Sequence, residues 1–382
     1  MAHSPNTDWS PESDAVQRDQ RAAYDSMRER CPVAYSRMMG WTLFRNSDVR
    51  HVLHEHGTFS NRVSQHLSVP NGMDPPVHTA YRRIVEPYFD EAAMAAFEPT
   101  CRAIASDLAG QLHAQRDADF MQAFAQPFAV RIQCAFLGWP ESFHEPLLQW
   151  TQRNLEATGA QDRDALAEIA DTFRAYVFAM IERRREGSHG PDVTSRLMAE
   201  QVDGKPLTDE EIASILRNWT MGEVGTLAAA LGILVHGVAT DTDLQALLRD
   251  NPERIEDANE ELLRLHCPLV TNRRRATAAT DLHGRGIEAG DTLTLNWVAA
   301  NRDPDAFEAA EQFRIDRDQS ANLVWGAGIH VCPGAPLARL EMRVVMEELL
   351  AHSEDISLRP DTLPDLARYP GSGYATLPVH LR

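Results

Sequence analysis

Residues 325–334, Trp325-Gly326-Ala327-Gly328-Ile329-His330-Val331-Cys332-Pro333-Gly334, form the stretch around which the chain is organised. Glycine permits backbone turns that other residues resist, so this segment is predicted to be a tight loop that a flat ligand can approach closely. A helical pattern follows directly, with apolar residues at Leu337, Leu340, Val344, Val345 and Leu349. Because a helix start offers unpaired N–H groups and a partial positive charge, it favours the thiolate form of Cys332.

Cys332 is therefore a candidate metal ligand. A thiolate with one open face suits an iron porphyrin, and thiolate ligation favours O–O bond cleavage. Taken alone, Cys332 also fits two other interpretations, a buried structural cysteine or part of a His-x-Cys zinc site.

The loop resembles the haem-binding loop of the cytochrome P450 superfamily, Phe-Gly-x-Gly-x-His-x-Cys-x-Gly. It keeps both early glycines, the histidine, the cysteine and the last glycine, and it has Trp325 in place of Phe. The resemblance implies that Cys332 is the axial ligand of haem b (iron protoporphyrin IX). It also implies that Gly326, His330 and Gly334 bind the cofactor. The expected fold is mainly α with small β sheets, a single domain that holds haem between a long central helix and the cysteine loop.

Composition limits the classes of partner. The 382 residues are 43% hydrophobic and 24% charged, which suffices for a large core, and the formal net charge is −19. Nucleic acid is an unsuitable partner, because phosphate binding needs a basic surface. The five cysteines are scattered and odd in number, as in a reduced, cytoplasmic protein.

The start of the chain carries neither a basic segment nor an apolar run of signal-peptide type. We also see no uninterrupted apolar stretch of about 18 residues and expect no membrane-spanning helix. Residues 1–19 are predicted to be a flexible segment, and residues 20–382 a single haem-thiolate domain. The resemblance is to the soluble, bacterial-type members of the family.

Two further segments carry candidate cofactor ligands. His78 and Arg82 lie four residues apart in a predicted helix and hence on one face. They fit either a surface pair or, by the resemblance, a grip on the haem propionates. Arg274 is assigned to the same propionates by the resemblance, although Arg273 is a near-equal candidate because three arginines stand in a row.

A capping box at Thr208–Glu211 predicts the start of a long, buried helix that reaches about residue 238. The resemblance makes Thr226 the threonine of the oxygen-binding face, where the family has an acid just before it and this chain has Gly225. We interpret Glu223, three residues earlier, as the alternative proton donor, with an ion-paired or solvent-facing Glu as the competing interpretation. Thr226 could instead only bond a backbone carbonyl. Residues expected to face the substrate are Met221, Gly222, Leu269 and Val270.

A structural triad is expected from Glu261, Arg264 and Arg317. Glu261 and Arg264 are spaced for a pair within one helix. The resemblance adds Arg317 as the third partner, and these residues are interpreted as structural rather than catalytic.

The resemblance implies a monooxygenase that inserts one oxygen atom of O₂ into a small organic substrate. Since the sequence has no flavin or iron–sulfur region, electrons are expected from a separate ferredoxin and ferredoxin reductase. A basic patch of Arg82, Arg83, Arg339 and Arg343 is expected on the cysteine side to bind that partner. Two alternatives remain at this point: an enzyme that uses peroxide directly, and a non-catalytic binding module with the same fold.

Overall fold

The computed structural model describes residues 6–64, 66–187 and 192–382. Helices dominate it, as predicted. The α-helices of the described residues are α1 (Asp14–Arg18), α2 (Gln20–Arg30), α3 (Asn46–His54), α4 (Val77–Val85), α5 (Glu91–Gln115), α6 (Gln126–Leu137), α7 (His144–Ala160), α8 (Arg163–Arg185), α9 (Val193–Ala199), α10 (Asp209–Thr240), α11 (Thr242–Asp250), α12 (Ile255–His266), α13 (Trp297–Ala300) and α14 (Ala335–His352).

The strands are short. They are β1 (Val33–Ser36), β2 (Gly40–Leu43), β3 (Phe59–Ser60), β4 (Asp117–Asp119), β5 (Gln201–Val202), β6 (Lys205–Pro206), β7 (Thr271–Ala276), β8 (Thr280–Leu282), β9 (Arg285–Ile287), β10 (Thr292–Asn296), β11 (Ile356–Leu358), β12 (Asp365–Leu366), β13 (Tyr374–Thr376) and β14 (Pro378–Leu381). Among the described residues the largest sheet has five strands in the order β1-β2-β10-β7-β3. In it β10 pairs with β2 in parallel and with β7 antiparallel, and β7 also pairs with the edge strand β3.

The central helix α10 organises the helical core. Its capping box is present as predicted: the Thr208 hydroxyl accepts from the Glu211 amide (3.2 Å), and the Glu211 carboxylate accepts from the Thr208 amide (2.8 Å). The helix packs against α6, α8, α12 and α14. By length and hydropathy α10 could cross a membrane, but 67% of its most apolar window is buried inside the protein, as befits a core helix.

The expectation of flexibility for residues 1–19 does not hold for the part that the structure describes, residues 6–19. Trp9 is buried against Tyr24 and Phe44 with edge-on ring contacts, and the Asp8 amide donates to the carbonyl of Tyr35 (2.9 Å). Burial of one large aromatic side chain outweighs the polar composition that suggested flexibility. Residues 1–5 lie outside the described residues.

Candidate functional site

A cavity of about 390 Å³ lies between α10 and the loop 325–334. Aromatic and aliphatic side chains make up much of its wall, as in typical ligand sites. Of the residues selected from the sequence, those that line it are Met221, Gly222, Glu223, Thr226, Leu269, Arg274, Gly326, His330, Cys332 and Gly334.

Two glycines allow the loop to take its shape. Gly326 and Gly328 have φ values of +72° and +69°, in the left-handed region that residues with a side chain rarely adopt. At Gly328 a Cβ atom would also lie only 2.5 Å from the carbonyl oxygen of Leu53, at the end of α3. The loop then closes with a hydrogen bond from the Cys332 amide to the carbonyl of Trp325 (2.9 Å). Local backbone geometry therefore aims Cys332 into the cavity.

The Cys332 sulfur experiences two opposing influences. Burial of its surroundings raises the pKa of the thiol, whereas backbone N–H groups of Gly334 and Ala335, at the start of α14, lower it. Burial outweighs them, so the helix start alone does not produce the thiolate expected from the sequence. A coordinated metal cation deprotonates such a thiol outright, and the two N–H groups then stabilise the negative sulfur.

Trp325, the one departure from the family loop, has a polar anchor. Its indole N–H donates to the Glu260 carboxylate (2.9 and 3.0 Å), and Arg339 both pairs with Glu260 (2.7 Å) and lies over the indole ring (4.8 Å). A phenylalanine would offer no donor for this bond. The tryptophan thus ties the loop to α12 and α14.

Unpaired nitrogen atoms collect at one end of the cavity. Both ring nitrogens of His78 and Nε2 of His330 are buried without a hydrogen-bond partner among the described residues, and the two rings lie 4.3 Å apart. Arg274 is buried beside them without a carboxylate partner in the described chain. Burial lowers the pKa of His330 to about 3, with His78 and Arg274 adding to the effect, and burial lowers the pKa of Arg274 to about 10.

This arrangement fits an anionic group. Buried donors without partners are costly, and a carboxylate would satisfy them and raise the pKa of both histidines. The haem propionates would supply such carboxylates, and the Cys332 sulfur, which lines the same cavity, would hold the iron. The residues present therefore fit haem b.

The structure distinguishes between the two arginines that the sequence offered as ligands of a haem propionate. Arg274 is buried and lines the cavity, whereas Arg273 is exposed, because neighbouring residues of a strand face opposite sides. Arg82 lies on α4 as predicted, but its Nε donates to Glu86 (2.8 Å) and its Nη2 to the carbonyl of Val331 (2.5 Å). Arg82 therefore holds the cysteine loop through its bond to Val331. Because two of its nitrogen atoms are already engaged, it has fewer N–H groups available for a propionate than a free arginine would.

Thr226 differs from the other threonine in this part of α10, because its hydroxyl does not bond the backbone of the described helix. Its hydroxyl makes no hydrogen bond to the described residues and faces the cavity. By contrast, Thr220 on the same helix donates to the carbonyl of Leu216 (2.8 Å) and accepts from Gln133 (3.1 Å). A Cβ atom added at Gly225 would meet no atom within 4 Å, so the position of the family's acid opens into free space.

Glu223 is neither ion-paired within the described residues nor solvent-facing. Its Oε1 is buried without a partner of opposite charge, and its carboxyl group meets that of Glu341 on α14. Sequence reasoning missed Glu341, although a signal existed: it stands between Leu337 and Val345 on the apolar face of α14.

The prediction that Val270 faces the substrate is wrong. Val270 is buried in the core beneath the five-stranded sheet, where its carbonyl accepts from the Trp297 amide (3.0 Å). Leu269 does line the cavity, and Met221 is 40% exposed at its wall. The chain turns into β7 at this point, so neighbouring side chains face opposite sides.

The predicted structural triad forms. Glu261 and Arg264 have no exposed side-chain surface and pair through two hydrogen bonds of 2.8 and 2.9 Å. Arg317 Nε donates to the same carboxylate at 2.7 Å. Arg264 also donates to the carbonyls of Asn301 and Ala310, which secures the segment before the cysteine loop to α12.

Of the four arginines expected to form a basic patch, Arg83 is exposed on α4, whereas the other three are paired with carboxylates. Arg82 is buried and pairs with Glu86, and Arg339 pairs with Glu260. Arg343 contacts three carboxylates, those of Glu98, Glu256 and Glu347. The sequence shows where basic residues are numerous but not which acids neutralise them.

Comparison with known proteins agrees with this geometry. The Cytochrome P450 family model matches residues 139–360. The chain is 35% identical over 341 residues to erythromycin C-12 hydroxylase of Saccharopolyspora erythraea, covering 85% of each protein. It is 30% identical to mycinamicin IV hydroxylase/epoxidase of Micromonospora griseorubida, covering 88% of each.

Solved structures extend the similarity to the fold. A mutant of P450 EryK in complex with erythromycin B is 31% identical, with a TM-score of 0.86, covering 96% of this chain and 97% of that one. CYP109E1 from Bacillus megaterium in complex with testosterone is 25% identical, with a TM-score of 0.88, covering 97% of this chain and all of the other.

Proposed function

Because the chain belongs to the cytochrome P450 family and is a haem b monooxygenase, we propose that it oxidises a neutral, largely apolar organic molecule with a few hydrogen-bonding groups. The observation that carries the monooxygenase assignment is the Cys332 sulfur, which opens into the same cavity as the free hydroxyl of Thr226. Bound haem supplies the activation of O₂ and the insertion of one oxygen atom into the substrate. The protein supplies the ligand, the pocket and the protons.

The cavity wall supports a neutral substrate. Besides Glu223, Thr226, Cys332 and the two groups assigned to the propionates, the polar side chains that line it include four amides, Gln133, Asn71, Asn218 and Asn272. Amides pair with hydroxyl and carbonyl groups, whereas an ionised substrate would be buried without a counter-charge. A solved neighbour binds testosterone, a neutral and largely apolar molecule with one hydroxyl and one ketone group.

A steroid and its sulfate ester test the substrate class. We expect testosterone to bind at least about 10-fold more tightly than testosterone sulfate, because an unpaired buried charge costs more than 1.4 kcal/mol. Binding is measured from the change in the haem absorption spectrum on titration. Equal or tighter binding of the sulfate would contradict a neutral substrate, and an erythromycin derivative tests whether the pocket admits a macrolide.

We assign electron delivery to a ferredoxin and its reductase in the cytoplasm, with no nucleic acid or membrane involved. The acidic surface, with its arginines neutralised by carboxylates, supports a docking face of complementary shape rather than one of simple positive charge. Turnover with peroxide but none with ferredoxin and reductase would instead favour a peroxide-using enzyme.

We assign proton delivery to Glu223. It lines the cavity with Thr226, and burial raises the pKa of its carboxyl group, which favours the protonated form that can donate. The open space at Gly222 and Gly225 leaves room for water between Glu223 and Thr226. Thr226, free of a backbone bond, can accept that proton and pass it into the cavity.

Glu223→Gln is expected to lower product formed per electron pair by about 10-fold or more, in line with the 10²–10⁴-fold that a positioned proton donor contributes. Product and reductant consumption are measured with ferredoxin and reductase. Turnover with peroxide should change little, because peroxide already carries its protons.

Two further variants sharpen this experiment. Glu210→Gln, on the same helix but exposed and paired with Arg174, should retain normal coupling. Gly225→Asp, for which the backbone has room, should restore coupling when combined with Glu223→Gln. Unchanged coupling in Glu223→Gln would eliminate Glu223 as the donor.

A further inference from the structure

The contact between α10 and α14 contains two carboxyl groups and no nearby cation among the described residues. Glu223 projects from α10 and Glu341 projects from α14. The side chain of Glu341 is completely buried. Oε1 of Glu223 and both oxygens of Glu341 are shielded from water, with no ordinary donor facing them. Yet α10 and α14 pack against each other, and a hydrogen bond between the two carboxyl groups acts to lower the pKa of Glu223 and to raise that of Glu341.

Two ionised carboxylates cannot hydrogen-bond, since each is only an acceptor. Placed together in a low-dielectric interior they repel strongly, and the pair retains a proton that both oxygens share. That proton supplies the missing donor and joins one oxygen of Glu223 to one oxygen of Glu341, in line with the rule that buried polar atoms find partners.

The surroundings of the pair reinforce this state. Cys101 from α5 faces it, and burial raises the pKa of that thiol to about 12, so it stays neutral. Arg102 and Arg343, which act electrostatically on Cys101, are engaged by Glu98 and Glu347 and, for Arg102, by Glu348.

We propose that Glu223 and Glu341 act as one acid that holds a shared proton across the α10–α14 contact, with Glu341 as the positioning residue that keeps Glu223 protonated beside the cavity. The proposal rests on the proton-donor role assigned to Glu223 under Proposed function. The proton leaves through Glu223 towards Thr226, the pair gains one negative charge, and a proton from water restores it. The pair thus takes the place of the acid that the family has at the position of Gly225.

Infrared spectroscopy of the ferric holoenzyme, with ¹³C-labelled glutamate, tests the pair without turnover. A protonated carboxyl band that shifts on deuteration is expected in the wild type at neutral pH. Glu341→Gln and Glu223→Gln should each shift or remove the same band, because each removes one member of the pair. In Glu341→Gln the protonated carboxyl band that remains should disappear on raising the pH, with a midpoint about one pH unit or more below that of the wild type.

Glu348→Gln is the matched control. Glu348 lies two turns further along α14 and is paired with Arg102, so its loss should leave the band unchanged. A band that is insensitive to either member of the pair, or no protonated band in the wild type, would overturn the proposal. If the band behaves as expected but coupling is normal in Glu223→Gln, the pair exists and the proton-donor role fails.

Stability provides a second measurement. An acid whose pKa is raised on folding stabilises the native state below its unfolded pKa, and this contribution is lost as pH rises through the folded pKa. The melting temperature of the wild type should therefore fall relative to Glu341→Gln as pH increases from about 5 to 9. A constant difference across that range would contradict a shared proton.

Discussion

Arg264→Ala will lower the free energy of unfolding by about 3–5 kcal/mol, the usual cost of removing one member of a buried ion pair. Arg264 and Glu261 are completely buried, and truncation leaves the Glu261 carboxylate with the side chains of Arg317 and Gln319 and the Arg314 amide as partners. It also removes the donors to the carbonyls of Asn301 and Ala310, which lie in the segment leading to the cysteine loop. The variant should therefore also retain less haem.

Chemical denaturation of the holoenzyme, with haem content measured on the same samples, checks this result. Arg254→Ala is the matched control, because Arg254 precedes the same helix but pairs with Asp257 and Asp316 at the surface. That variant should show no measurable loss. Similar stability of the two variants would show that the buried triad does not stabilise the segment that leads to the cysteine loop.

The triad also makes the protein sensitive to acid. Burial alone would raise the pKa of Glu261, but hydrogen bonds from Arg264, Arg317 and Gln319 outweigh it and lower the pKa below its ordinary value. An acid with a depressed folded pKa stabilises the protein above its unfolded pKa and loses that contribution as pH falls through the folded pKa. Arg264→Ala should therefore flatten the decline in stability below about pH 5.

Cys332→Ser will abolish the spectrum of thiolate-ligated ferrous-CO haem and reduce monooxygenation to background. The expected loss exceeds the 10–100-fold that removing a supporting group costs at a metal site, because the ligand itself is lost. The fold should survive, since the loop is held by Gly328 against α3, by Trp325 through Glu260 and by the Cys332 backbone amide rather than by the sulfur.

The measurement is the absorption spectrum of the reduced protein under carbon monoxide, with circular dichroism as a check on folding. Cys31→Ser serves as the control, because Cys31 is half-buried near β1 and outside the cavity. It should leave the spectrum unchanged. A thiolate spectrum in Cys332→Ser would mean that another residue is the ligand and would remove the basis of the monooxygenase assignment.

Features encoded over a few residues were predictable from the sequence. The glycine loop, the helix start after it, the Thr208 capping box and the Glu261–Arg264 pair each depend on contacts within one turn or on backbone preferences of single residues. These local rules do not depend on the rest of the fold. Together with the resemblance they specified the family, the cofactor and its axial ligand.

Features that depend on packing between distant elements were decided only by the tertiary structure. The meeting of Glu223 with Glu341, the choice of Arg274 over Arg273, the burial of Val270 and the neutralised arginines all join segments that are far apart in sequence. A side chain's charge state and direction follow from what packs against it, and burial, which governs both, is a property of the folded chain. The sequence of one loop therefore predicted the metal ligand, whereas the proposed proton donor depends on the contact between α10 and α14.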